Sequence, residues 1–193
     1  MKYRNFGSLG WKVSALGFGA MRLPLEDPKD RTSIDEARAT RMIRYAIDHG
    51  VNYVDTAYPY HGGESERAVG RILQDGYREK VHLATKLPMW ALEEEGDAER
   101  ILDEQLEKLQ TDHIDCYLFH GLRKPRWETV QKFDLLDWAE EIKADGRVRH
   151  IGFSFHDDLE TFKMIVDAYD DWDFCQIQYN YMDINNQAGT EGL

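Results

Sequence analysis

After residue 30, short apolar runs rich in β-branched and aromatic residues alternate with longer amphipathic stretches. That alternation is the mark of strand-helix units around a parallel sheet. Counted from the start of the chain, the apolar runs place strands at 15–21, 51–55, 81–86, 114–120, 148–154 and 174–179. Helical spacing of apolar residues places helices at 35–48, 65–74, 97–109, 127–144 and 159–170. In the first of these, Thr40, Ile43, Ala46 and Ile47 form one stripe, and in the third Ile101, Gln105, Leu106 and Leu109 form another with one polar member. His49-Gly50 and Asp145-Gly146 each put a glycine just past a helix, where a left-handed residue closes it without Cβ strain. Ahead of the first strand, segments 2–6 and 12–16 flank Gly7-Ser8-Leu9-Gly10 and suggest a hairpin across one end of the domain.

Two α/β architectures use such units. An open doubly wound sheet that binds a dinucleotide carries a Gly-x-Gly-x-x-Gly turn after a strand. No strand-helix turn here contains one, and Gly17-Phe18-Gly19 alone is a weak signal. The other is the (β/α)8 TIM barrel, which needs eight strands and typically about 250 residues. Only about six units are found in the 193 residues, so the expectation is a single, incomplete barrel domain over residues 1–193 with an N-terminal β-hairpin. Its open edges would expose unpaired backbone and apolar surface, and self-association through them is expected.

The charge excludes some functions. Twenty-four basic against thirty-six acidic residues give a net charge of −12, which argues against binding nucleic acid or an anionic membrane. The acidic residues are spread over helices and loops, densest at Glu93-Glu94-Glu95, as on a solvated surface. No apolar run approaches the roughly 18 residues of a membrane span. The start of the chain lacks the apolar core of a signal peptide. Cys116 and Cys175 stand singly inside apolar segments and read as reduced core residues of a cytoplasmic protein.

The polar residues collect at one end of the strands. Asp55, Lys86, His120 and Ser154 each close an apolar run, at the carboxyl end where barrels carry their chemistry. A charge in that position must pair or stay wet, and Asp55 and Lys86, on neighbouring strands, are natural partners. Taken singly, they make a structural ion pair and His120 a satisfied core histidine. Tyr60 adds a function, because the loop from Thr56 to Gly63 can bring it over the same end. An ammonium beside a phenol favours the phenolate, which makes the phenol a better proton donor.

Val54-Asp55-Thr56-Ala57-x-x-Tyr60, then Gly63-Glu64-Ser65-Glu66, Ala84-Thr85-Lys86 and Tyr117-Leu118-Phe119-His120 resemble the aldo-keto reductase pattern in order and spacing. Segments 16–22, 147–154 and 175–180 are also similar to that family. The resemblance implies hydride transfer from NADPH, with NADH the alternative, to a small-molecule aldehyde or ketone. Tyr60 would protonate the carbonyl oxygen, Lys86, held by Asp55, would make it a better acid, and His120 would orient the substrate. Ser154 and Gln176 would hold the nicotinamide carboxamide, and Gly19, Ala20 and Met21, with Asp55, would lie against the cofactor. Strand alternation puts Tyr179 on the face opposite Gln176 and Gln178, so it is left out.

Two departures stand out. Where many members read Ser-Asn after the fifth strand, this chain has Ser154-Phe155-His156, which removes one amide contact to the carboxamide. The family's contacts to the cofactor phosphates come largely from strands seven and eight, so NADPH is a family default. Leu118 to Leu122 with Phe153 to Asp157 also resembles a branch that often carries a ferredoxin-like iron-sulfur segment after the barrel. No metal site is expected within these residues. His61, Glu64, Glu66, His120, His150 and His156 lack metal-ligand spacing, and Ser65 and Glu66 read as the cap and first turn of the second helix. A non-catalytic cofactor-binding module or an inactive fragment is the alternative function. Loop 23–33, loop 121–127 and Trp90 are the candidates for lining a substrate pocket.

Overall fold

The computed structural model describes residues 1–193. A hairpin of β1 (Tyr3–Asn5) and β2 (Lys12–Ser14) precedes a six-stranded parallel sheet. The sheet comprises β3 (Phe18–Gly19), β4 (Tyr53–Asp55), β5 (His82–Leu87), β6 (Ile114–Leu122), β7 (Val148–Phe155) and β8 (Phe174–Ile177). The strands pair in sequence order, so β3 and β8 form its edges. Helices α1 (Glu36–Asp48), α2 (Glu64–Ile72) and α3 (Asp97–Leu109) link the first four strands. Between β6 and β7 lie α4 (Lys124–Lys132) and α5 (Leu135–Ala144), and α6 (Leu159–Asp167) leads to β8. No helix is long and apolar enough to cross a membrane.

Strand alternation divides the apolar side chains into two layers. Val54, Leu83, Tyr117, Phe119, Ile151, Phe153 and Phe155 face the helices and join the large core. Ala84, Cys116 and Leu118 face the other way into a small cluster with Phe6, Trp11, Tyr53 and Phe174. The hairpin covers that inner layer: Trp11 stacks on His82 at 3.5 Å, and the Asn52 side chain is hydrogen-bonded to the backbone of Lys12 and Ser14. The hairpin therefore sits where strands β4 and β5 begin, leaving their carboxyl ends open.

Three expectations are corrected. The helix expected over 127–144 is two helices, broken where Asp134 takes a left-handed φ of 48°. Pro125 in the first turn of α4 is the start signal that places its beginning earlier than expected. Ser65 is not a helix cap: Gly63 caps α2, and Ser65 is buried, its hydroxyl within 2.9 Å of that of Thr56 and 3.2 Å from the Ala20 carbonyl. Cys175 is not a core residue. It points out from β8, an edge strand without a further neighbour, and is exposed, whereas Cys116 is buried. Neither cysteine is in a disulfide.

Close packing of α2 on α3 depends on Gly70, since a Cβ there would stand 2.5 Å from the Lys108 carbonyl oxygen and 2.7 Å from the Leu109 carbonyl carbon. Backbone atoms cannot step aside as a side chain does. Gly70→Ala is expected to destabilise the protein by about 1–3 kcal/mol, read as a fall in the urea midpoint. An unchanged midpoint would mean that the two helices separate freely.

Candidate active site

The inward alternation that buries Ala84 and Leu118 carries the polar residues with it. Asp55 lies two residues after Tyr53, Lys86 two after Ala84, His120 two after Leu118, Ser154 two after Gly152 and Gln176 two after Phe174. Parallel pairing fixes their heights, with Gly19 opposite Asp55, Asp55 opposite Ala84, Lys86 opposite Leu118 and Ser154 opposite Gln176. All five side chains thus share one face at the carboxyl end of the sheet.

Lys86 is buried, and its Nζ donates to Asp55 Oδ2 at 2.6 Å and to the Thr56 carbonyl at 2.8 Å. Burial pushes the Asp55 carboxyl up, and the Lys86 ammonium pulls back against that shift. The Tyr60 ring lies over this pair with Lys86 Nζ 5.1 Å from its centroid, and the His120 ring is 6.1 Å away, edge to face. Trp90, half exposed, closes in from the loop after β5 at 5.1 Å from His120. Together Tyr60, Lys86 and His120 line a cleft of about 510 Å³ with Ser154, Gln176 and Met21.

His120 does not end its strand as expected. Strand β6 continues to Leu122 through an irregularity at 119–122, where Gly121 takes φ 62° and Arg126 reaches the carbonyls of His120 and Gly121. Burial, then the positive charges of Lys86 and Arg126, drive the His120 imidazole down to about 3. Its Nδ1 is buried without a hydrogen-bond partner. The ring is therefore neutral at pH 7, with one N–H to donate. An imidazole ordinarily near 6.5 that is held lower in the folded state makes the unfolded chain bind the extra proton first. His120 therefore adds nothing to the pH dependence above about 6.5, and stability is lost as pH falls from there toward 3. Unfolding of the parent and of His120→Gln between pH 8 and 4 is expected to show the parent losing ground below pH 6.5; parallel curves would contradict the neutral ring.

The cleft carries groups complementary to an amide. Ser154 Oγ accepts the Gly121 N–H at 2.7 Å and so keeps its own proton to donate, and Gln176 stands beside it with a donor and an acceptor. Those are the groups that an amide can use. The expected loss of an amide contact at position 155 has a geometric counterpart: Phe155 faces the helices in the core, and His156 lines the cleft instead. Of the three residues expected from the first strand and its loop, Met21 lines the cleft. Ala20 is buried with its carbonyl on Ser65, and Gly19 has open space where a Cβ would be. Tyr179 is exposed beyond the end of β8.

Several residues of the site were not anticipated. Arg22, His156 and Gln178 also line the cleft. Behind Lys86, Gln105 Nε2 donates to the Lys86 carbonyl at 3.1 Å and to Glu66 Oε1 at 2.5 Å, and Thr85 donates to the same oxygen at 2.6 Å. Gln105, the one polar member of an apolar stripe, was the visible signal of that buried network. Glu66 gave none, because an acidic residue in a first helical turn is ordinary.

The sequence profile of the Aldo/keto reductase family matches residues 15–191. An uncharacterised oxidoreductase of Bacillus subtilis, YqkF, is 32% identical over 165 residues, covering 80% of this chain and 49% of that protein. An aldo-keto reductase of Bacillus halodurans solved in its holo form is 31% identical with a TM-score of 0.69, over 93% of this chain and 58% of that one. An aldo-keto reductase of Klebsiella pneumoniae solved in complex with NADPH is 27% identical with a TM-score of 0.64, over 88% of this chain and 55% of that one. The chain spans about half the length of the curated relatives that it matches.

Proposed function

Since the chain belongs to the aldo/keto reductase family, we propose that it forms the catalytic part of an NAD(P)H-dependent oxidoreductase that reduces small carbonyl compounds to alcohols. Residues 1–193 are read as one domain, six units of a (β/α)8 barrel. The observation that carries the reading is the convergence of Tyr60, the Asp55–Lys86 pair and neutral His120 on one cleft.

When bound, the reduced nicotinamide supplies the hydride. Ser154 and Gln176 would hold its carboxamide, and Met21 with the backbone at Gly19 and Ala20 would flank it. Tyr60 gives its phenolic proton to the carbonyl oxygen, and the Lys86 ammonium stabilises the phenolate left behind. Asp55 fixes Lys86 in place. His120, uncharged, donates a hydrogen bond that orients the substrate oxygen without competing with Tyr60 as an acid. NADPH is the preferred cofactor on the strength of the family and of the Klebsiella relative solved with it.

The test is titration of the complete product of the gene with NADPH and then NADH, followed by nicotinamide fluorescence and by turnover of a generic aldehyde. Cofactor binding with turnover that depends on Tyr60 supports the proposal. Binding without such turnover favours a cofactor-binding regulatory module on the same fold, and binding of neither cofactor overturns both.

A further inference from the structure

A second cavity opens beside Tyr60, and the reduction itself does not use it. It holds about 320 Å³, with Met21, Arg22, Leu25, Arg31, Tyr60 and His61 in its wall. Arg22 and Arg31 are the only charged side chains there, and no carboxylate faces them from that wall. The side-chain contact of Arg22 is a weak one, to the Met21 sulfur at 3.5 Å. Elsewhere Arg71, Arg78 and Arg147 sit on carboxylates at 2.7, 2.7 and 2.6 Å. Met21, Arg22 and Tyr60 line both this cavity and the cleft that contains Lys86 and His120, so the two spaces adjoin at Tyr60.

His61 explains why both arginines are held at this place. Its Nε2 lies 3.0 Å from the backbone nitrogen of Leu23, which only donates, so Nε2 is the acceptor. A neutral ring then carries its proton on Nδ1 and donates it to the Arg31 carbonyl, 2.9 Å away. His61 directly follows Tyr60 and is buried with a left-handed φ of 53°, a strained conformation for a side chain of this kind. One imidazole thus fastens the residue next to Arg22, and Arg31 itself, to the turn that carries the proton donor.

Building on the reductase reading, we propose that the substrate is a carbonyl compound bearing an anionic group, a carboxylate or a phosphate, held by Arg22 and Arg31 while its carbonyl faces Tyr60. Guanidinium groups suit both anions because their planar donors match two oxygens at once. In a chain of net charge −12, a paired cationic wall at one mouth is also where an anion would be drawn. The anionic group takes no part in the chemistry: hydride and proton still go to the carbonyl, and neutral carbonyl compounds are used less efficiently.

The complete product of the gene, saturated with NADPH, is assayed with 4-oxobutanoate against butanal and with glyceraldehyde 3-phosphate against glyceraldehyde. The charged member of at least one pair is expected to have the higher kcat/KM, with the advantage shrinking as salt is raised, and the pair that responds separates carboxylate from phosphate. Arg31→Ala is expected to lower the charged-to-neutral ratio by about tenfold or more, and Arg31→Lys to recover part of it. Equal use of both members of each pair overturns the inference. So does a loss in Arg31→Ala that falls equally on charged and neutral substrates, or one matched by weaker NADPH binding, which would assign the arginine to the cofactor phosphates. If no aldehyde is reduced, the reductase reading falls. Calorimetric binding of the two anions then decides this one: binding lost in Arg31→Ala retains the anion site, and no binding overturns it.

Discussion

Tyr60→Phe is expected to reduce carbonyl turnover by about 10²–10⁴-fold, the range a positioned general acid contributes, and to leave NADPH binding nearly unchanged. The variant removes one oxygen. The ring would keep its place 6.1 Å from His120 and above the Lys86 ammonium, so the loop and the cleft should stay as they are. Because the missing proton is needed only as charge develops on the substrate oxygen, the loss should appear in kcat rather than in KM. Stopped-flow or steady-state oxidation of NADPH with one aldehyde measures it. Retention of more than a tenth of the parent kcat would assign proton donation to another group or to water.

Lys86→Met is expected to abolish turnover and also to destabilise the fold by about 3–5 kcal/mol, because it strands a buried carboxylate. Asp55 has Lys86 as its ion-pair partner at 2.6 Å, and only 14% of its side-chain surface is exposed. Burial already pushes its carboxyl up with the ammonium present. Without that charge, the carboxylate must take up a proton or draw in water, and either costs stability. The companion variant Asp55→Asn/Lys86→Met removes both charges and is expected to regain most of the lost stability with no return of activity. Urea midpoints and turnover for the parent, the single and the double variant separate the two roles of the pair. A single variant with the parent midpoint would show that Asp55 is not confined by its surroundings.

The same residues mark how far the sequence could be read. Helix α3 was legible to the residue, since Ile101, Gln105, Leu106 and Leu109 repeat at helical spacing over Asp97–Leu109. The break between α4 and α5 was not legible. It falls at Phe133-Asp134 with neither glycine nor proline, where Asp134 takes a left-handed turn between Val130 and Leu135, both buried in the core. Strand β3 was read too long, because Ala20–Arg22 winds into a short 3-10 turn that buries Ala20 against α2. Cys175 looked like a core residue because it sits in an apolar run, but burial of an edge strand depends on a neighbour, which the run itself does not encode.

By itself the sequence determined the alternation of strands and helices, the parallel order that follows from it, and a period of two that puts Asp55, Lys86, His120, Ser154 and Gln176 on one face with Ala84 and Leu118. These are local properties, fixed by backbone geometry along one strand at a time. Distances between strands were decided only by the tertiary structure. Interstrand register set Asp55 against Lys86 at 2.6 Å, the left-handed turn at His61 through Gly63 brought Tyr60 over them, and burial made His120 a neutral ring. The tertiary structure also closed loop 22–31 onto His61 and turned two unremarkable arginines into the wall of a cavity beside Tyr60. A single hydrogen-bonding imidazole carries no periodicity, so contacts of that kind are visible only after the chain has folded.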